Sequence, residues 1–205
     1  MKGDNELIMA RIPEIRKDQY AVATYVRKNG IKKIAMNEFA NEHIRNIYCY
    51  SRILKDNGIN VIEYVFVKEG MLEAEYVDAP TLEEVIIDMI FKDCYAELKQ
   101  VYNAYYQLLE EAAKLVKGKA FIDMIPDNIF VKKSELYVYD QEYVMADVNI
   151  MDIAGKGIVD MYYRHPNIAN NIPMKKLLDF LELDCDPKRY FELNKRISKM
   201  VYKEF

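Results

Sequence analysis

The chain has 205 residues and a formal charge of −4, with an isoelectric point near 5.4. That balance lacks the basic footprint of a nucleic-acid binder. About half the residues are apolar (51%), which suffices for a core in one compact unit or two small lobes. No apolar run approaches the ~20 residues that cross a bilayer. The start, Met1-Lys2-Gly3-Asp4-Asn5-Glu6, lacks the basic n-region and apolar core of a signal peptide. Cys49, Cys94 and Cys185 are odd in number and far apart. They are expected to be buried free thiols of a cytoplasmic protein, not a disulfide or zinc framework.

Residues 6–36 read as strands. Tyr20–Val26 is β-branched and aromatic, Asn29-Gly30 is a hairpin turn signal, and Ile31–Met36 resumes the strand. Residues 4–20 contain no glycine, so no glycine-rich loop precedes the hairpin. Residues 37–56 have helical period: Asn37 caps, and Ala40, Ile44, Ile47, Tyr48, Ser51 and Leu54 share a face. Asn57-Gly58 ends that helix. Strands are expected at Val61–Val67 and Met71–Val77, turning at Lys68-Glu69-Gly70. Asp78-Ala79-Pro80 breaks the second strand, and Thr81 with Glu84 forms a capping box for a new helix. Residues 93–117 carry the strongest helical pattern, lined by Leu98, Val101, Tyr102, Tyr105, Leu109 and Ala112. Helical patterns near 150–164, 173–183 and 187–203 are punctuated by Pro166, Pro173 and Pro187. The order predicts an α+β fold: an N-terminal lobe over 1–78, built of sheet and one helix, and a mainly helical lobe over 79–205.

Between the long helix and the last helices lies the stretch with chemistry. Phe121–Val131 and Leu136–Glu142 are apolar runs joined by the polar turn Lys132-Lys133-Ser134-Glu135, a hairpin. Asp123 and Asn128 lie before its first strand and Asp140 after its second. A hairpin joins its outer ends, so these three side chains should converge. Asn128 and Asp140 are hard oxygen ligands of the kind Mg²⁺ shares with substrate phosphates. Taken singly, Asp123 and Asn128 have bland readings as turn residues; the joint pattern is harder to reach by accident. Glu83-Glu84 and Glu110-Glu111 read as solvated helix faces, Asp127 as solvent-facing, and His165 as a surface or capping residue. Arg164 is either an anchor for the loop or solvated.

The Asp123–Asn128 spacing, Pro126 and the later Asp140 resemble the catalytic segment of protein-kinase-like phosphotransferases. Phe121 stands where such kinases usually carry histidine, and Asp140-Gln141-Glu142 replaces Asp-Phe-Gly. These departures resemble aminoglycoside and choline kinases more than protein kinases. The resemblance is greatest to bacterial kinases of surface-polysaccharide (O-antigen and lipopolysaccharide) assembly. It covers about residues 20–183 and is specific at 121–142.

The resemblance implies a two-lobed kinase-like fold and an ATP- and Mg²⁺-dependent kinase acting on a hydroxyl of a small molecule or a surface-glycan end. Asp123 would be the catalytic base, Asn128 and Asp140 the metal ligands, and Lys33 a contact to the α/β-phosphates. Glu75 and Val77 would meet adenine through their backbone. The acidic partner of Lys33 stays open between Glu42, His43 and another residue. The expected partners are a small-molecule or glycan acceptor, with association into a polysaccharide-assembly complex left open. The rival reading is a catalytically silent kinase-fold module that binds nucleotide or a protein. A third is a structural subunit whose partner supplies the N-terminal cover.

Overall fold

The structure is a computed structural model and describes residues 7–12 and 15–203. The Met1–Glu6 stretch read above lies outside them. Contacts divide the chain into two compact units. One holds the described residues up to Asp78 together with those from Ile197, the other Ala79–Arg196.

The first unit is a five-stranded antiparallel sheet with strand order β1-β2-β3-β5-β4. Its strands are β1 (Leu7–Arg11), β2 (Val22–Arg27), β3 (Gly30–Ala35), β4 (Tyr64–Lys68) and β5 (Met71–Ala74). Helix α1 (Asn41–Asp56) packs on β3, β4 and β5. Asn37 caps the short 3-10 turn before it, accepting the Ala40 N–H at 3.1 Å. Ile44, Ile47, Ser51 and Leu54 are its buried face, as their spacing predicts.

Several details differ from the sequence expectation, among them strand β4, which begins at Tyr64 and not at Val61. The β2–β3 turn is Lys28-Asn29, because Gly30 already pairs with Arg27. Gly30 serves a close approach: a Cβ there would lie 2.8 Å from the Ala74 carbonyl oxygen. Strand β5 stops at Ala74, not Val77. Ala74 pairs with Ile31 and Tyr64, at the ends of both neighbouring ladders. Residues 75–78 join no ladder among the described residues.

The second unit opens with α2 (Leu82–Phe91), capped by the expected box: Thr81 Oγ1 accepts from Glu84 N, and the Glu84 carboxylate accepts from Thr81 N. Helix α3 (Tyr95–Leu115) buries Leu98, Tyr102, Tyr105, Leu109 and Ala112. Strands β6 (Lys119–Phe121) and β9 (Val144–Ala146) pair antiparallel, enclosing the β7–β8 hairpin (Ile129–Lys132, Glu135–Val138). Helices α4 (Ile150–Arg164), α5 (Met174–Phe180) and α6 (Pro187–Val201) follow, and the division between the units falls inside α6. The fold is α+β, an antiparallel-sheet lobe followed by a mainly helical lobe with one embedded hairpin, as the order of elements in the sequence predicts. No helix among the described residues is long and apolar enough to cross a membrane.

The cysteines are free, yet none is buried: Cys49 is exposed, and Cys94 and Cys185 are intermediate. Cys49 lies off the apolar stripe of α1, which explains its exposure.

Candidate active site

The hairpin turn explains itself. Lys133 and Ser134 both have positive φ (51° and 65°), the twist that a tight two-residue connection requires. Ile129 pairs with Val138, and Tyr139 N–H donates to the Asn128 carbonyl at 2.9 Å. The hydrogen-bonded ladder therefore runs up to the residue before Asp140.

Outside the hairpin, Phe121 pairs with Val144 in the β6–β9 ladder. The nested pairings bring Asp123 to the segment after Asp140. Asp123 Oδ2 accepts the backbone N–H groups of Glu142 (2.5 Å) and Tyr143 (3.1 Å). Asn128 Nδ2 donates to the Asp123 carbonyl at 2.8 Å. Asp123 and Asn128 are thus directly joined, and Asp123 is tied to the residues that follow Asp140.

Each of the three oxygen-bearing groups has a distinct state. Asp123 Oδ1 is buried and has no hydrogen-bond partner among the described residues. Burial pushes the Asp123 carboxyl well above the usual carboxylate range, and the charges of Glu142 and Asp140 add to the rise. The backbone donor at Glu142 opposes it. Asn128 has its amide nitrogen committed and its Oδ1 left as an acceptor. Asp140 has φ +64°, a left-handed conformation that Asp tolerates better than most residues. Among the described residues no group of three or more His, Cys, Asp or Glu is gathered as a metal site. One carboxylate and one amide oxygen still fit Mg²⁺, which takes few protein ligands and completes its shell with phosphate and water.

Sequence reasoning overlooked Gln141. It is fully buried, and neither Nε2 nor Oε1 has a hydrogen-bond partner among the described residues. Leaving such groups unpaired costs about 1–3 kcal/mol each. The only sequence signal was its place between two acids, which suggested exposure.

Glu83 also departs from expectation. Its side chain is only 3% exposed and pairs with the Arg164 guanidinium through both carboxylate oxygens. His165 Nε2 lies 3.2 Å from Glu83 Oε1. Arg164 is also 4.0 Å from Asp127, which is half-buried and not fully solvent-facing. Arg164 is therefore an anchor between α2, the end of α4 and the loop bearing Asn128. His165 ends α4, as a capping residue should.

Gly157 of α4 sits under the same loop: a Cβ there would collide with Pro126 Cδ. Asp147, Asp152 and Asp160 do not form an acidic cluster. Asp152 pairs with Arg189, and Asp160 with Lys156 and Asn194.

In the first unit, Lys33 is fully buried, with Nζ 3.5 Å from Thr24 Oγ1. Glu42 is exposed. His43 is buried and packs edge-on against Tyr20 at 5.1 Å between ring centres. Glu75 and Val77 lie in the irregular segment after β5. A cavity of about 530 Å³ opens beside Tyr25, Arg27, Lys32 and Glu73. It lies on the other face of the sheet from Lys33, since neighbours along a strand point opposite ways.

No protein-family model matches the chain, and no curated protein matches it. Among solved structures it is similar to a mutant form of the Mycobacterium tuberculosis PknI kinase domain, at 11% identity and a TM-score of 0.48. That match covers 96% of this chain and 99% of the other.

Proposed function

We propose that the chain is an ATP- and Mg²⁺-dependent phosphotransferase acting on an alcohol of a small molecule or a surface-glycan end, such as one in lipopolysaccharide assembly. The observation that carries this reading is the hydrogen-bonded join of Asp123 to Asn128 and to the segment after Asp140. In this reading Asp123 would be the base and Asn128 and Asp140 the metal ligands, with Asp123 and Asn128 held together by the hydrogen bond between them.

Asp123 divides its work between its oxygens. Oδ2 holds the backbone of Glu142 and Tyr143 in place, and Oδ1 would take the acceptor's hydroxyl proton. The raised affinity of this carboxyl for protons suits a general base. The acceptor oxygen forms a bond to the γ-phosphorus, the bond from that phosphorus to the β,γ-bridging oxygen breaks, and ADP leaves. Asn128 and Asp140 would hold Mg²⁺, which neutralises charge on the phosphates during transfer. Lys33 would contact the α/β-phosphates, and the backbone of Glu75 and Val77 the adenine.

One observation favours the catalytically silent module instead: the Asp123 carboxylate already has a structural task. The variant Asp123→Asn separates the two. It keeps an oxygen for the backbone donors and removes the charged base. Under the phosphotransferase reading, transfer to any productive alcohol, or to water as a slow acceptor, falls by roughly two orders of magnitude or more. ATP·Mg²⁺ affinity stays within a few-fold, because the lost interaction belongs to the transition state. Wild-type protein that binds ATP but transfers phosphate to no alcohol or water would establish the silent module.

A further inference from the structure

The geometry points to Arg11 as a phosphate-binding residue, the outer member of a side-chain row Arg11–Thr24–Lys33 that does what backbone amides of a glycine-rich loop do elsewhere. The inference rests on the phosphotransferase reading and adds to it a binding group and its ligand chemistry: the charged tail of a nucleoside triphosphate.

The row follows from register alone. Arg11 of β1 pairs with Thr24 of β2, and Thr24 with Lys33 of β3. Directly opposed residues of antiparallel strands project from the same face. The irregularity in the β1–β2 ladder falls between Leu7 and Met9, before the row. Thr24 Oγ1 lies 3.5 Å from Lys33 Nζ, as that shared face demands. Two strand spacings separate the Arg11 and Lys33 backbones, about 10 Å. Both side chains are long enough to lean toward one polyanion from either side of the Thr24 hydroxyl.

Charge makes the row distinctive. On β5 the row ends at Leu72, opposite Lys33, so it contains two cations and no acid. The neighbouring row on the other face is Tyr25–Lys32–Glu73, and there Lys32 is paired with Glu73 at 2.7 Å. Arg11 is exposed and makes no hydrogen bond or ion pair among the described residues. An Arg guanidinium is a planar fork suited to phosphate oxygens. The sequence also calls for such a substitute. Residues 4–20 contain no glycine, so the β1–β2 connection lacks the residue that lets backbone amides close on phosphates.

The test uses the full chain and three probes: ATP, adenosine and inorganic tripolyphosphate. Wild type should bind ATP more tightly than adenosine and should also bind tripolyphosphate. Arg11→Gln should weaken ATP and tripolyphosphate about tenfold or more and leave adenosine within twofold. Arg11→Lys should recover part of the loss. Unchanged melting temperature in both variants would show that the fold is intact. Wild type that prefers ATP, with Arg11→Gln binding it equally well, overturns the Arg11 assignment and leaves the phosphotransferase reading standing. Arg11-dependent tripolyphosphate binding without ATP binding supports the anion row and sinks the phosphotransferase. Wild type that binds neither ATP nor tripolyphosphate overturns both.

Discussion

At the scale of single residues, Asp123 shows what burial does to a carboxyl group. Its carboxyl is held above its ordinary range first by burial and then by the acids Glu142 and Asp140. The folded state therefore binds this proton more tightly than the unfolded chain. The resulting stabilisation is fully present below the unfolded value of about 4 and is lost as pH rises through the raised folded value. Asp123→Asn has no such proton. Denaturant unfolding of both proteins from pH 4 to 8 should show wild type losing stability relative to the variant as pH rises. Parallel profiles would mean that the backbone donors fully offset the buried charge. A variant that cannot fold at any pH would make Asp123 a structural cap and nothing more. Glu83 shows the opposite outcome. Its carboxylate is as buried as a core leucine, but Arg164 and His165 meet it. Nothing in Leu82-Glu83-Glu84-Val85 announces that, because the partners lie 81 and 82 residues away.

At the scale of elements, what was legible followed from local chemistry. The hairpin turn, the Thr81–Glu84 box and the apolar stripes of α1 and α3 appear as their residues dictate. The β6–β9 ladder escaped notice because strands of three residues are too short to show alternation. Yet that ladder brings Asp123 to Glu142. The candidate residues could thus be named from the sequence, while the hydrogen bonds that join Asp123 to Asn128 and Glu142 could not. Two glycines of α4 offer a matched test. A Cβ at Gly157 would drive into Pro126, a ring with little freedom, and displace the loop between Asp123 and Asn128. A Cβ at Gly155 would run into the Tyr190 ring, away from that loop. Overpacking of this kind costs roughly 1–3 kcal/mol, against a gain of up to ~1 kcal/mol from helix propensity. Both Gly→Ala variants should lose stability. Only Gly157→Ala should also lose kcat in a phosphotransfer assay. Equal kcat in the two variants would show that the loop tolerates movement.

At the scale of the whole molecule, the decisive property is what nucleotide and metal do to the stability of the folded chain. A ligand that binds only the folded state raises stability by RT ln(1 + [L]/Kd), about 2.7 kcal/mol at a hundredfold excess over Kd. ATP·Mg²⁺ at millimolar concentration should therefore raise the melting temperature, and ATP with a chelator should raise it less. The difference measures the metal, and its two proposed ligands should contribute unequally. Asp140 carries a full charge, whereas Asn128 offers the dipole of an amide oxygen whose nitrogen is already spent on the Asp123 carbonyl. Asp140→Asn should abolish most of the Mg²⁺-dependent increment, and Asn128→Ala should reduce it by less. Asn128→Ala also releases the Asp123 carbonyl, so its melting temperature without ligand should fall below that of wild type. The baseline and the increment together separate loss of scaffold from loss of metal. Wild type and Asp140→Asn with the same Mg²⁺ increment would remove Asp140 from the metal site. A flat response of wild type to ATP·Mg²⁺ would count against nucleotide chemistry altogether.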